Sequence, residues 1–121
     1  MEKSKSFTDL IVWQKAHALV LNIYEITQGF PKEELFGIIS QIRRASVSEA
    51  ANIAEGYKRK SPNYKARFFN ISEGSLDETK YFLILSKDLG FIEPDTDLLA
   101  QSDEVAKLLY SYKKAILNSN S

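Results

Sequence analysis

A chain of 121 residues, 44% apolar and 26% charged, with sixteen Lys/Arg against sixteen Asp/Glu, has the size of one domain and no bulk charge to draw it to nucleic acid. Five glycines, three prolines and no cysteine favour a few long elements, exclude disulfides and thiolate metal sites, and make a reducing, cytoplasmic location the expectation. No apolar run approaches the roughly 18 residues that cross a bilayer, and no signal-peptide pattern opens the chain, so no membrane role is expected.

The first helix is expected to open at Thr8, with Phe7 and Val12 as a hydrophobic staple. Val12, Ala16, Leu19, Ile23 and Ile26 then recur at spacings of four and three, which is one apolar stripe, and Gly29 and Pro31 end it. The second helix runs from Pro31 to about Lys60. Glu33 and Glu34 lie in its first turn, and Leu35, Ile38, Ile39, Ile42, Ala45, Ala50, Ile53 and Tyr57 form its apolar side. Ser61-Pro62 breaks the chain. The third helix extends from about Pro62 to Leu89, with Phe68, Ile71, Ser75, Phe82 and Leu89 along one side and Leu76 and Leu83 beside them. Gly90 ends it. The fourth follows Pro94 and carries Leu98, Val105, Leu108, Leu109, Tyr112 and Ile116, with a local restart at Ser102-Asp103 left open. Residues 1–6 and 118–121 are polar and expected to fray.

Four helices joined by short loops predict an all-α, up-down-up-down antiparallel four-helix bundle. It is a single domain over 1–121, ordered over about 7–118, with a long hairpin of the second and third helices. Residues whose numbers sum to about 124 should lie level across that hairpin. Gly37, Gly56 and Gly74 fall inside helices, among Ala45, Ser46, Ser48, Ala50, Ala51, Ala54, Ser72 and Ser75. Small residues on facing helices let backbones approach, so they predict a tight seam; a ligand needing backbone access is the alternative.

Catalytic patterns are missing. A bundle di-metal site needs Glu-x-x-His on two helices, but His17 is the one histidine and Gln14 stands three before it. Serine and cysteine triads lack partners, no phosphate-cradling glycine loop occurs, and no histidine follows Arg43 and Arg44. No enzyme activity, metal or cofactor is expected. Asn52, Glu55, Glu73 and Glu78 are expected to form a structural polar network, with Arg44 reaching Glu78 across the hairpin; an acid–base pair is the alternative.

Charge is uneven. Residues 1–67 carry a net +4 and residues 68–121 a net −4. Lys58, Arg59, Lys60, Lys65 and Arg67 follow one another with no acid among them, interleaved with Tyr57, Tyr64 and Phe68. Cations interleaved with aromatics can hold phosphates and stack bases. These five, with Arg43 and Arg44 as additions, are the candidate nucleic-acid contacts; a solvated helix end is the plain alternative. Tyr81-Phe82-Leu83-Ile84-Leu85 and Leu10-Ile11-Val12-Trp13 are apolar all round. One bundle core buries one stripe per helix, so Trp13, Tyr24, Tyr81 and Leu85 are expected to meet another subunit.

Several motifs occur together: Phe7-x-x-Leu10-x-Val12-Trp13-Gln14-Lys15-Ala16, Phe30-Pro31, Phe36-Gly37, Gln41-Ile42-Arg43-Arg44-Ala45-x-Val47-Ser48, Ala51-Asn52-Ile53-Ala54-Glu55-Gly56, Glu73-Gly74-Ser75-Leu76-x-Glu78 and Leu89-Gly90. Over residues 7–117 the chain resembles the four-helix proteins encoded in intervening sequences of bacterial 23S ribosomal RNA genes. It departs from them at Glu49-Ala50, where many members have an apolar residue and a helix-kinking proline. The resemblance implies a bundle that assembles into a homopentameric ring. It also implies kinship with the accessory variability determinants of diversity-generating retroelements, more basic proteins that bind reverse transcriptase and nucleic acid. The expectation is a non-enzymatic, homo-oligomeric binding protein with RNA or a nucleic-acid-processing protein as partner. A protein-only scaffold whose oligomer face docks a helical partner is the alternative.

Overall fold

The computed structural model describes residues 4–118 and contains four long helices: α1 (Ile11–Thr27), α2 (Ser40–Lys58), α3 (Pro62–Asp88) and α4 (Leu98–Asn118). The cross-helix pairs give their directions. Arg44 meets Glu78 and Ser48 meets Ser75, Lys80 meets Asp103 and Lys113 meets Glu73, and Asn22 and Lys15 of α1 meet Gln101 and Glu104 of α4. In each couple the higher number on one helix faces the lower on the other, so neighbouring helices are antiparallel. α1 packs on α4 to close a four-cornered bundle.

The core follows a seven-residue repeat most clearly on α3. Phe69, Leu76 and Leu83 are buried at one position of the repeat, and Ser72, Thr79 and Ser86 at another. This corrects the expected face, which ran through Phe68 and Ile71; Ile71 is exposed. Hydroxyls are tolerated in the core because each finds a carbonyl: Thr79 donates to Ser75 O (2.9 Å), Ser86 to Phe82 O (2.7 Å) and Ser72 to Glu49 O across the hairpin (2.7 Å). Their small size lets α2 come close. The level pairs Arg44–Glu78 and Ser48–Ser75 sum to 122 and 123, near the expected 124.

Of the three glycines assigned to that seam, Gly56 belongs to it. A Cβ there would lie 2.4 Å from Phe69 Cε1, so the ring sits directly on the glycine backbone. Gly74 is exposed with nothing near its missing Cβ. Gly37 lies outside α2 altogether. The chain after Pro31 makes a 3-10 turn at Lys32–Glu34 and then a wide helical segment at Leu35–Ile39, broken at Gly37, before α2 begins at Ser40. The second helix is therefore shorter than expected, and it runs unbroken through Glu49-Ala50.

The N-terminus also differs. Ser6 and Asp9 form a capping box on a 3-10 turn at Phe7–Asp9, and α1 starts after it, with Leu10 rather than Thr8 at the cap. Residues 4–6 are tied in rather than frayed, since Ser4 bonds Tyr57. The fraying expected for 1–3 and 119–121 concerns positions outside the described residues. Ser102 causes no restart: it is buried and donates to Leu98 O (2.9 Å) within a continuous α4. No helix among the described residues is long and apolar enough to cross a membrane.

Candidate functional site

An antiparallel bundle gathers residues from distant parts of the chain at each end. Where α1 and α3 begin and α2 and α4 finish, Lys5, Lys58, Arg59, Lys60, Lys65, Arg67, Lys113 and Lys114 face only Asp9, Glu55 and Glu73 among the described residues. At the opposite end Lys32, Arg43, Lys80 and Lys87 stand against Glu25, Glu33, Glu34, Asp88, Glu93, Asp95, Asp97 and Asp103. A chain of zero net charge is thus polarised, with a net +5 at one end and −4 at the other. At 1.5 Å per residue the 27-residue α3 holds these ends about 40 Å apart. That is several times the roughly 8 Å over which physiological salt screens charge.

The predicted nucleic-acid contacts divide into two groups. Lys58, Lys60 and Arg67 are exposed and have no hydrogen-bond or ion-pair partner among the described residues. Tyr64 is exposed among them, three residues before Arg67 and so on the same side of α3. The others are held within the fold. Arg59 pairs with Glu55 (3.0 Å) and lies over the Phe68 ring. Lys65 donates to Gly56 O (3.1 Å) and Tyr57 O (2.7 Å), capping the last carbonyls of α2, and burial lowers its pKa. Arg43 plays the same part for α1, donating to Thr27 Oγ1 (2.9 Å) and Tyr24 O (3.3 Å) over the Tyr24 ring. Arg44 pairs with Glu78 at 2.6 Å. Arg43 also stands fifteen residues before Lys58 on α2, about 22 Å away by helical rise. Arg43 and Arg44 therefore do not join the hairpin-tip cluster.

The expected polar network resolves into separate pairs. Arg44 and Glu78 bridge the hairpin as predicted. Asn52 donates to Ser48 O and Ser48 Oγ, which joins the Ser48–Ser75 bond. Glu55 pairs with Arg59 inside one helix turn, and Glu73 with Lys113 of α4. Glu55, Glu73 and Glu78 are thus each matched to a cation. Among the described residues no group of three or more His, Cys, Asp and Glu side chains could hold a metal ion.

The candidate subunit contacts are unequal as well. Tyr24 and Tyr81 are exposed. Leu85 is half-buried against the core, and Trp13 is half-buried, edge-on to Phe7 and stacked on His17. His17 is exposed, on the flank of that aromatic group. Beside Tyr24 stand Leu35 and Phe36, the latter 91% exposed in the broken segment before α2. That apolar corner was missed because Phe36 lies off the α2 stripe once Gly37 interrupts the helix.

Glu49 was missed too. It is fully buried, and neither carboxylate oxygen has a hydrogen-bond partner. Burial pushes its pKa up to about 9, so it is a neutral acid at pH 7. The signal was present: Glu49 stands seven residues after Ile42 and four before Ile53, on the buried row itself.

A sequence model of the family described as 23S rRNA-intervening sequence protein matches residues 8–111. Among solved structures, a protein of unknown function from the S23 ribosomal protein family of Bacteroides thetaiotaomicron is 27% identical. It superposes with a TM-score of 0.79 over 86% of this chain and 96% of that one. No curated protein matches.

Proposed function

The chain belongs to the 23S rRNA-intervening sequence protein family, and from that premise we propose that it is a non-catalytic cytoplasmic protein, assembled from several copies, that binds RNA through the basic end of each bundle. One observation carries the proposal: Lys58, Lys60 and Arg67 are exposed at the same hairpin tip as exposed Tyr64, with no carboxylate paired to them among the described residues. Phosphates of a single strand fit the cations, and a base fits the tyrosine ring. Zero net charge is no obstacle, because the compensating acids lie at the far end, outside the screening distance.

Three free cations make a weak site. Repetition in an oligomer raises apparent affinity by roughly 10²–10⁴ without new contacts. Exposed Tyr24, Leu35, Phe36 and Tyr81 supply apolar surface for such assembly, and the family resemblance favours a ring of five. Light scattering at micromolar concentration should return a multiple of the 13.8 kDa chain mass.

The binding test is charge reversal at each end. K58E/K60E/R67E should abolish RNA retention at moderate salt with helicity unchanged. For partial variants, the slope of log affinity against log salt should shrink by about 0.7 for each phosphate that is no longer neutralised. D95K/D97K at the acidic end should leave retention intact. Retention that survives the first set overturns the assignment. The 91% exposed Phe36 favours a second reading, a scaffold that docks a protein. It predicts a partner recovered after nuclease treatment and absent with Phe36→Ser.

A further inference from the structure

The basic end holds a second feature beside its charged tip. The Phe7–Asp9 turn leans against the last turns of α2. It is fastened there by Tyr57, whose hydroxyl donates to Ser4 O (3.1 Å) and lies 3.0 Å from Ser4 Oγ. Between turn and helix lies a cleft of about 530 Å³, within the roughly 300–1,000 Å³ usual for small-ligand sites. Its lining sorts by chemistry. Ala51 and Ala54 contribute only methyl groups, Phe7 and Tyr57 are aromatic, Lys5 and Lys58 bring positive charge, and Ser6 adds a hydroxyl that accepts from Thr8 N and Thr8 Oγ1. The one carboxylate there, Glu55, is neutralised by Arg59 at 3.0 Å.

We propose that this cleft takes a nucleobase of single-stranded RNA, with the adjoining phosphates on Lys5 and Lys58. The inference rests on the RNA-binding reading of the basic end and adds a place for a base. Two observations select this occupant. A flat, largely apolar body with an anionic backbone matches an apolar floor between lysines. Lys58 also belongs to the exposed tip, so a strand crossing the tip passes the cleft mouth. Stacking on the aromatic ring and the alanine methyls is what the site asks of its occupant, so it requires a base.

The test uses the full chain and two labelled RNA 12-mers, one of uridines and one abasic, followed by fluorescence anisotropy. The wild type should bind the uridine strand at least tenfold tighter than the abasic strand. In a Tyr64→Ala background, which removes the stacking ring of the tip, filling the cleft with A51L/A54L should erase that difference and leave abasic affinity unchanged. Ala51 is exposed, so Ala51→Gln serves as a milder variant should the double one lose helicity, and it should reduce the difference. Equal wild-type affinity for the two strands, or discrimination that survives both variants, overturns the cleft proposal. If K58E/K60E/R67E still weakens both strands in that case, the RNA reading of the tip stands alone. Failure of the wild type to bind either strand overturns both. A change in assembly mass on filling the cleft, with discrimination kept, makes the cleft a subunit contact and also overturns the proposal.

Discussion

The two ends of the bundle are built differently as well as charged differently. At the basic end α2 and α3 are joined by residues 59–61 alone, Phe69 sits on the Gly56 backbone, and Lys65 reaches back to cap α2. At the acidic end the connections span residues 28–39 and 89–97. They contain a 3-10 turn, a broken wide segment, a left-handed Gly90 (φ 79°) and an exposed Phe36. A firm support and a set of free cations occur together at one end, while looser connections and apolar surface occur together at the other. A firm backbone suits a repeating phosphate lattice, because it fixes the spacing of the cations while their side chains stay free to reach. A projecting aromatic on a longer connection suits contact with protein.

The largest expected effect contrasts one aromatic residue from each end. Phe69→Ala should cost about 3–5 kcal/mol, since it empties a fully buried site. Phe36→Ala should change the stability of a single bundle by less than about 0.5 kcal/mol while lowering the mass of the assembly. Urea unfolding with light scattering on both variants measures this. Equal losses would erase the distinction between the ends.

Glu49 lies between the ends and gives the next effect. Its carboxyl has a pKa of about 9 when folded, against the ordinary 4.5. Below about pH 4.5 it is protonated whether the chain is folded or not, and it imposes no pH dependence. Between 4.5 and 9 folding must take up a proton, so stability falls as pH rises. The deficit is on the order of 3 kcal/mol at pH 7 and levels off above 9. Glu49→Leu should flatten the profile between pH 5 and 9 and raise stability at pH 7. A wild-type profile that stays flat would mean that the carboxylate meets a cation in the assembled protein.

The smallest effect separates two lysines of the same tip. Lys65→Met should cost about 1–2 kcal/mol, because it removes two charge-assisted bonds to α2 carbonyls. Lys60→Met should cost nearly nothing in stability and weaken RNA binding instead. Thermal unfolding paired with anisotropy distinguishes them; a shared phenotype would merge the two classes of cation.

The four helices were legible because their stops are local: Gly29, Pro31, Ser61-Pro62, Gly90 and Pro94 act through their own backbones. The hairpin register was legible because so short a link leaves it little freedom. The buried face of α3 was read one residue off. Phe68 adjoins Phe69 and Ile71 adjoins Ser72, and a count of apolar residues overlooks hydroxyls that bond carbonyls in the core. At the candidate site the cations were visible as residues, but their availability was not. Lys65 reaches the carbonyls of Gly56 and Tyr57 only because the chain reverses at Ser61. The end-to-end polarity was hidden for the same reason: it draws on all four helices, and a division at residue 67 showed only its shadow.

That polarity acts at a distance and also between copies. A bundle with a positive and a negative pole experiences a torque near a polyanion, and it turns its basic end forward before any contact forms. Bundles set side by side in one direction place like poles together, and their mutual repulsion is greatest in dilute buffer. Salt therefore pulls the two events in opposite directions. Under the proposed function it would ease parallel assembly by screening like poles, and loosen the grip on RNA by screening unlike charges.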